Sequence, residues 1–318
     1  MRSVQFLKKM PHVLLFSLAL NFPILSIASD TNLYRQAEPD RLKEYLNNVI
    51  QPTAFRNYEN IQELDRVATY LKKQVESFSI PCEYQSYPID GKNYKNVVCR
   101  IQTGNAKKVI IGAHYDVYGD FQGADDNASG VVGLIETARI LANNKTELKH
   151  NVELVFYTLE EPPYFRTEYM GSYVHAQSVA KQKDQIQAVY ILEMIGYFDH
   201  KNVQDYPTGL GLFYPKHGNF IGAVSNFSSR ALGENYCDAM KAMNRLDCQR
   251  LIAPSFIQGV DFSDHLNYWN LDIPAIMITD TAFFRNKHYH TAEDTIEKLN
   301  LNKMADVVNG VVYTILKK

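Results

Sequence analysis

Apolar residues return at three- and four-residue spacing early in the chain, with Ile61, Leu64, Val67, Ala68 and Leu71 on one stripe. That period predicts amphipathic helices over residues 38–48 and 59–77. The pattern then changes to a hairpin over 82–101 with Asp90-Gly91 at its tip. Short apolar runs bounded by polar residues follow, and they predict strands at 108–114, 153–159, 187–193 and 273–279. Between them, 129–143 reads as a buried helix carrying Val131, Leu134, Ile135, Ala138 and Leu141 on one side. The segment Asn127-Ala128-Ser129-Gly130 supplies its opening turn and cap. Further helices are predicted over 171–181 and over Leu301 to Ile315, the latter burying Met304, Val307, Val308 and Val311. Such alternation implies an α/β fold with a mixed, mainly parallel central β-sheet sandwiched by helices, the early hairpin supplying antiparallel strands. The stretch from His200 to Pro254 is the least regular, rich in Tyr, Phe, Asn and Gly. As a loop over a cleft it would help set specificity. No repeat or Pro/Gly-rich linker interrupts the chain, so one domain over 29–318 is expected.

The first segment changes what counts as structure. Arg2, Lys8 and Lys9 precede an apolar stretch from Val13 to Ala28, and Ser26-Ile27-Ala28 offers small residues for cleavage. This is the layout of a secretory signal peptide over 1–28, and it predicts an exported protein, periplasmic or secreted. An uncleaved anchor is the rival reading; Asn21 and Pro23 and the shortness of the stretch argue against it, so no stable membrane association is expected after cleavage. Cleavage removes three positive charges and no acids, taking the formal net charge from −2 to −5. That balance leaves no electrostatic footprint for nucleic acid. Roughly 290 residues remain, enough for a sizeable core. Four cysteines suit an oxidising compartment. A hairpin turning on Asp90-Gly91 sets Cys82 nearly opposite Cys99, and Cys237 and Cys248 can close a short loop. These two local pairs are the favoured one of three connectivities, with four buried free thiols as the alternative. No residue pattern specifies an oligomeric state.

Candidate chemistry sits where the apolar runs end. His114 and Asp116 close the run 109–113, and Asp125 and Asp126 stand just ahead of the 129–143 helix. Glu160 and Glu161 follow 154–159, Glu193 ends 188–192, and His290 lies in Tyr289-His290-Thr291. In a sheet of strands running side by side, residues at the carboxyl ends converge on one crevice. A lone strand-end histidine is more often a structural hydrogen-bonder, and adjacent acids are usually solvated. His114 and His290 in company with Asp126, Glu161 and Glu193 reverse that judgement, because imidazole and carboxylate are zinc donors.

The pieces His114-Tyr115-Asp116, Gly123 to Gly130, Glu160-Glu161, Leu192 to Gly196, Ser263-Asp264-His265 and Tyr289-His290-Thr291 occur in one order along most of the chain. Together they resemble peptidase family M28, the zinc-dependent aminopeptidases and carboxypeptidases. The resemblance implies a zinc exopeptidase-like three-layer α/β/α fold, peptide substrates and two Zn²⁺ ions bridged by Asp126. His114 and Glu193 would complete one site, Glu161 and His290 the other. It further implies Glu160 as general base, Asp116 fixing the His114 tautomer, and Tyr289 steadying the oxyanion. The expected activity is release of N-terminal residues by attack of metal-bound hydroxide on a peptide carbonyl; aminopeptidase is preferred to carboxypeptidase on resemblance alone. Glu193 departs from the Asp common in the family's aminopeptidases and is one methylene longer. Pro162-Pro163 after the acidic pair turns the chain away and removes two N–H groups. The main alternative is a single-zinc, glutaminyl cyclase-like acyltransferase, whose bridging segment departs from the Asp126-Asn127-Ala128-Ser129-Gly130 found here. A non-catalytic binding domain would lack ligands, and none is missing. Asp125 is expected to face solvent or cap the following helix, and Ser263 to cap a helix, with Asp264 lending a hydrogen bond to the site. His288 is a possible false partner of His290. His150, His175, His200 and His217 default to surface or core, and Tyr268 and Trp269 to packing.

Overall fold

The computed structural model describes residues 36–201, 203–207 and 209–317; the leader reading for 1–28 lies outside the described residues. Two amphipathic helices come first, α1 (Pro39–Val49) and α2 (Ile61–Glu76). Asn60 caps α2 by accepting the Glu63 N–H at 3.2 Å. The hairpin follows as β1 (Cys82–Ile89) and β2 (Lys92–Ile101), with Cys82 paired to Cys99 in the register that the Asp90-Gly91 tip predicts. Then come β3 (Lys108–His114), α3 (Gly130–Asn143), β4 (Asn151–Tyr157), α4 (Gly171–Val179) and β5 (Ile186–Glu193).

The 200–254 stretch holds more order than its composition suggests. It contains β6 (Phe220–Ser225), α5 (Arg230–Met243) and β7 (Asp247–Ile252) after an irregular excursion. The short helix α6 (His265–Trp269), β8 (Ala275–Thr279) and α7 (Leu301–Lys317) complete the chain. The eight strands lie in the order β1-β2-β4-β3-β5-β8-β6-β7. Strands β4, β3, β5 and β8 run parallel, the hairpin is antiparallel to β4, and β6 is antiparallel to β8. That second reversal was not expected from the sequence.

Alternation along each strand divides the sheet into two apolar faces. Ile111, Leu154, Tyr190 and Ile276 meet Leu134, Ile135, Val308 and Val311 of α3 and α7, with α2 packed against β2, α5 against β6 and β7, and α1 against α3 and α7. Ile110, Val155, Val189 and Ala275 meet Ala176 and Val179 of α4 and Tyr268 of α6. The layers are helix, sheet and helix. Two disulfides form, Cys82–Cys99 and Cys237–Cys248, as the local pairing predicts. No helix among the described residues is long and apolar enough to cross a membrane.

Chain order places the crevice. From β3 the chain passes to β4 on one side and then to β5 on the other, so the carboxyl end of β3 opens at a switch point. Arg56, in the loop between α1 and α2, fastens the segment that follows β3. Its guanidinium is buried and donates to the carbonyls of Gln122 and of Gly123, the latter at 2.6 Å, while the Val117 N–H donates to Arg56 O at 3.2 Å. Burial lowers the Arg56 pKa to about 10, so it stays charged at neutral pH. Charge-assisted hydrogen bonds are worth about 1.5–3 kcal/mol each. Arg56→Met is therefore expected to cost about 3 kcal/mol of stability, measured by urea denaturation. A loss under about 1 kcal/mol would show the clamp to be dispensable.

Candidate metal centre

Each acid and histidine at the crevice is held by a different element. His114 ends β3 and is fully buried. Glu193 ends β5, and Glu160 and Glu161 lie just past the end of β4. Asp126 sits in the turn before α3, and His290 comes from the loop between β8 and α7. The His114 Nε2 atom is 3.5 Å from Asp126, 3.4 Å from Glu193 and 3.8 Å from Glu160. His290 Nε2 is 3.0 Å from Asp126 and 3.2 Å from Glu161. Three sets of donor atoms lie within 4.8 Å of one another: His114 with Asp126 and Glu193, Asp126 with Glu161 and His290, and His114 with Glu160 and Glu161. Asp126 is common to the first two.

The turn that carries Asp126 is stitched to the end of β5. Asn127 accepts the N–H groups of Gly130 (3.1 Å) and Met194 (2.9 Å) and donates to Leu192 O at 2.8 Å. Ser129 donates to Asp125 O and accepts from the Ile195 N–H. A side chain on Gly130 would put its Cβ 2.5 Å from Leu192 O, so only glycine permits this approach. The two sequence pieces around Asp126 and Glu193 are thus one physical unit. Three residues next to or within the acidic set, Leu159, Met194 and His290, adopt left-handed φ of 61°, 49° and 57°. Non-glycine residues in that region cost of order 1–3 kcal/mol each.

The expected roles of neighbouring residues are partly revised. Asp116 lies 3.4 Å from His114 Nδ1, on the side expected of it. Its carboxylate also accepts the backbone N–H groups of Glu160 (3.2 Å) and Glu161 (3.1 Å), pinning both acids. Asp125 does not face solvent or cap α3. It is fully buried, accepting from Gly196 N–H and Asn286 Nδ2, with the charge of Asp280 acting on it. Burial, then the charge of Asp280, pushes the Asp125 carboxyl well above its usual range, so this pair holds a proton. Ser263 does not cap α6 with its side chain; it donates to Glu193 at 2.6 Å. Asp264 is fully buried nearby. Tyr289 stacks on His290 with ring centres 3.7 Å apart, and Tyr118 stacks on His290 at 4.2 Å. His288 joins none of the donor sets among the described residues. His175 is buried against the Tyr268 hydroxyl, at 2.7 Å.

Several contributors carry no sequence signal of their own. Asp294 accepts the N–H groups of Asp125 (2.9 Å) and Asp126 (3.1 Å), fixing the turn from the far end of the chain. Its place four residues after His290 is the one hint. Arg56 reads as an ordinary loop cation, and the Tyr118 stack depends on a fold that the sequence does not spell out.

The donor set demands positive charge. Both ring nitrogens of His114 are buried with carboxylate oxygens at 3.4 Å or more and no well-formed hydrogen bond among the described residues. Burial, then the charge of Asp126, raises Glu161 to about 8, and burial drives Glu160 well above the carboxylate range. Protons must therefore stand in wherever a cation does not. Buried carboxylates and imidazoles with unpartnered donor atoms fit one or more divalent ions of the zinc type. Beside the set, an apolar cavity opens past Glu193 and Tyr289 onto Phe262, Phe283, Met277 and Gly222.

Residues 96–315 match the profile of peptidase family M28. Uncharacterized protein YfbL of Escherichia coli (strain K12) is 42% identical over 288 residues, covering 87% of this chain and 88% of that protein. Leucine aminopeptidase 1 of Leptosphaeria maculans is 25% identical over 239 residues, covering 69% of this chain and 55% of its own length, so the chain spans about half of such relatives. Among solved structures, the LapA aminopeptidase of Legionella pneumophila superposes with a TM-score of 0.72 at 20% identity, over 92% of this chain and 75% of that one. A Bacteroides thetaiotaomicron glutaminyl cyclase gives 0.65 at 18%, over 89% and 99%. Both likenesses concern the fold. A profile match over most of the chain, on a fold shared with these enzymes, makes the protein a member of peptidase family M28.

Proposed function

We propose that the protein is an exported zinc aminopeptidase with two metal ions, formed as a single domain over 29–318 once the leader 1–28 is removed. One observation carries the reading: two donor triads, His114-Asp126-Glu193 and Asp126-Glu161-His290, buried but for the half-buried His290, share one carboxylate. A shared carboxylate relieves the repulsion between two neighbouring cations, and three protein ligands for each leave room for water and substrate. Leucine aminopeptidases among the relatives support N-terminal over C-terminal action. The two disulfides support an oxidising destination.

Zinc bound there supplies a Lewis acid for the scissile carbonyl and makes water in contact with it easier to deprotonate. The chain supplies the rest. Glu160, buried and 3.8 Å from His114, takes a proton from the attacking water and passes it to the departing amine. Asp116 holds Glu160 and Glu161 by their backbone N–H groups, so base and ligand keep a fixed separation. Ser263 fixes Glu193, whose extra methylene gives it more freedom than an aspartate. Tyr289, stacked on His290 and lining the cavity, donates to the developing oxyanion in this reading.

Glu160 also belongs to one donor triad, so its role is decided by comparison. Glu160→Gln is expected to retain two zinc ions and lose roughly 10²- to 10⁴-fold in kcat. Asp126→Ala is expected to lose metal outright. Elemental analysis beside hydrolysis of aminoacyl-anilides, with and without chelator, reads both. Equal metal loss in the two variants would make Glu160 a ligand. One zinc per chain with cyclisation of glutaminyl peptides would replace the peptidase by an acyltransferase.

Asp116→Asn puts an NH₂ group against an N–H that now meets an oxygen. Zinc affinity or kcat is expected to fall about 10- to 100-fold. Competition with a zinc-binding dye measures the first and anilide kinetics the second; wild-type values in both would remove Asp116 from the machinery.

A further inference from the structure

The two histidines of the donor set are oriented by different means. His114 stands at the end of β3 with its ring fully buried and the Asp116 carboxylate 3.4 Å from Nδ1. His290 stands on the loop between β8 and α7, and its side chain is 21% exposed. Its polar contacts, with Asp126 and Glu161, run through Nε2, and no protein group among the described residues bonds Nδ1. A ligating histidine ordinarily has a partner on its second ring nitrogen, and that partner fixes the plane of the ring.

Aromatic faces fix the plane of His290. Tyr289 lies against the imidazole with ring centres 3.7 Å apart and planes 17° apart, and Tyr118 does so at 4.2 Å and 9°. Non-bonded carbon atoms settle about 3.5–4.0 Å apart, so two rings this near to a third and this parallel to it would overlap on one face. They therefore take opposite faces and hold the imidazole between them. The two tyrosines arrive by separate routes. Tyr289 shares the loop of His290, whereas Tyr118 belongs to the segment that follows β3. That segment is pinned on both sides of Tyr118: Val117 N–H donates to Arg56 O at 3.2 Å, and Asn57 Nδ2 donates to Gly119 O and Asp120 Oδ1, each at 2.9 Å. Tyr118 is itself 37% exposed, and its ring contacts are with His290 and Phe121.

An imidazole whose nitrogen holds a cation becomes electron-poor, and the face of a tyrosine ring attracts positive charge. The stack is thus stronger on an occupied ring than on a free one, and a contact that favours one state shifts the equilibrium toward it. We propose that Tyr118 is a positioning residue for His290: with Tyr289 on the opposite face, it holds the imidazole from an anchored segment and raises the affinity of the Asp126-Glu161-His290 triad for its ion, leaving the His114 triad unaffected. The proposal rests on the two-ion reading and adds to it a residue that governs one ion and not the other.

The test is titration of zinc into the metal-free mature chain against a zinc-binding dye, which reads two affinities without reference to turnover. His290→Ala keeps the His114 triad alone and shows which affinity belongs to which site. Tyr118→Leu leaves an apolar cover without a π face. It is expected to weaken the His290-site affinity by about tenfold or more and to keep the other within about twofold of the native value. Tyr118→Ser takes its place should the leucine variant fail to fold. Tyr118→Phe restores the ring and is expected to hold both ions as the native chain does. Native affinities at both sites in Tyr118→Leu or Tyr118→Ser remove Tyr118 while the two-ion reading stands. Equal weakening of both sites, or a loss in Tyr118→Phe as large as in Tyr118→Leu, overturns the ring stack as the cause. A native chain that takes up a single ion overturns the two-ion reading and this proposal with it.

Discussion

Mutual repulsion among carboxylates withdrawn from water is the constraint around which this molecule is arranged. Asp126, Glu160, Glu161 and Glu193 are all buried around His114 and His290. Burial alone would raise Asp126, yet contacts with His114 and His290 hold its carboxyl below the usual range. Such a cluster persists only if the backbone around it cannot relax. The surrounding contacts do that: Asp294 and Arg56 hold the Asp126 turn, Asp116 holds the Glu160-Glu161 pair, and Ser263 holds Glu193. Left-handed residues beside three of the donors are tolerated for the same reason.

What the sequence made legible follows from periodicity and order. The strand ends bearing His114, Glu160, Glu161 and Glu193 were readable because apolar runs stop abruptly at polar residues there. The hairpin register followed from a two-residue tip, and the Cys82–Cys99 pair from that register. Two things escaped. Strands β6 and β7 carry Gly222, Asp247, Gln249 and Arg250 in place of a continuous apolar run, and one face of them lines a cavity instead of a helix, so their pattern is weak. The supporting residues escaped because their value lies in long-range contact. Asp125 looked like a solvent-facing acid beside a ligand, and only the fold brings Gly196, Asp280 and Asn286 around it.

The buried donors and the apolar cavity occupy different parts of one sheet. Parallel strands β3, β4 and β5 deliver the donors at their carboxyl ends, where the chain's reversal of direction opens a crevice. The reversed strand β6 and its neighbour β7 extend that sheet sideways and leave an uncovered face next to the donors. Arg285 joins the two regions. It is buried, donates to Phe220 O and Gln204, and stands next to Asn286, which holds Asp125.

The strand order gives the two disulfides a meaning that neither has alone. The outermost strands of the sheet are β1 and β7, each with a hydrogen-bonded neighbour on one side only. Such rims are where a sheet peels and where a foreign strand can add itself. Cys82 ties β1 to β2, and Cys248 ties β7 to α5. Both ends of the sheet are therefore fastened covalently, so that fraying at either rim is checked before it can reach the buried charges at the centre.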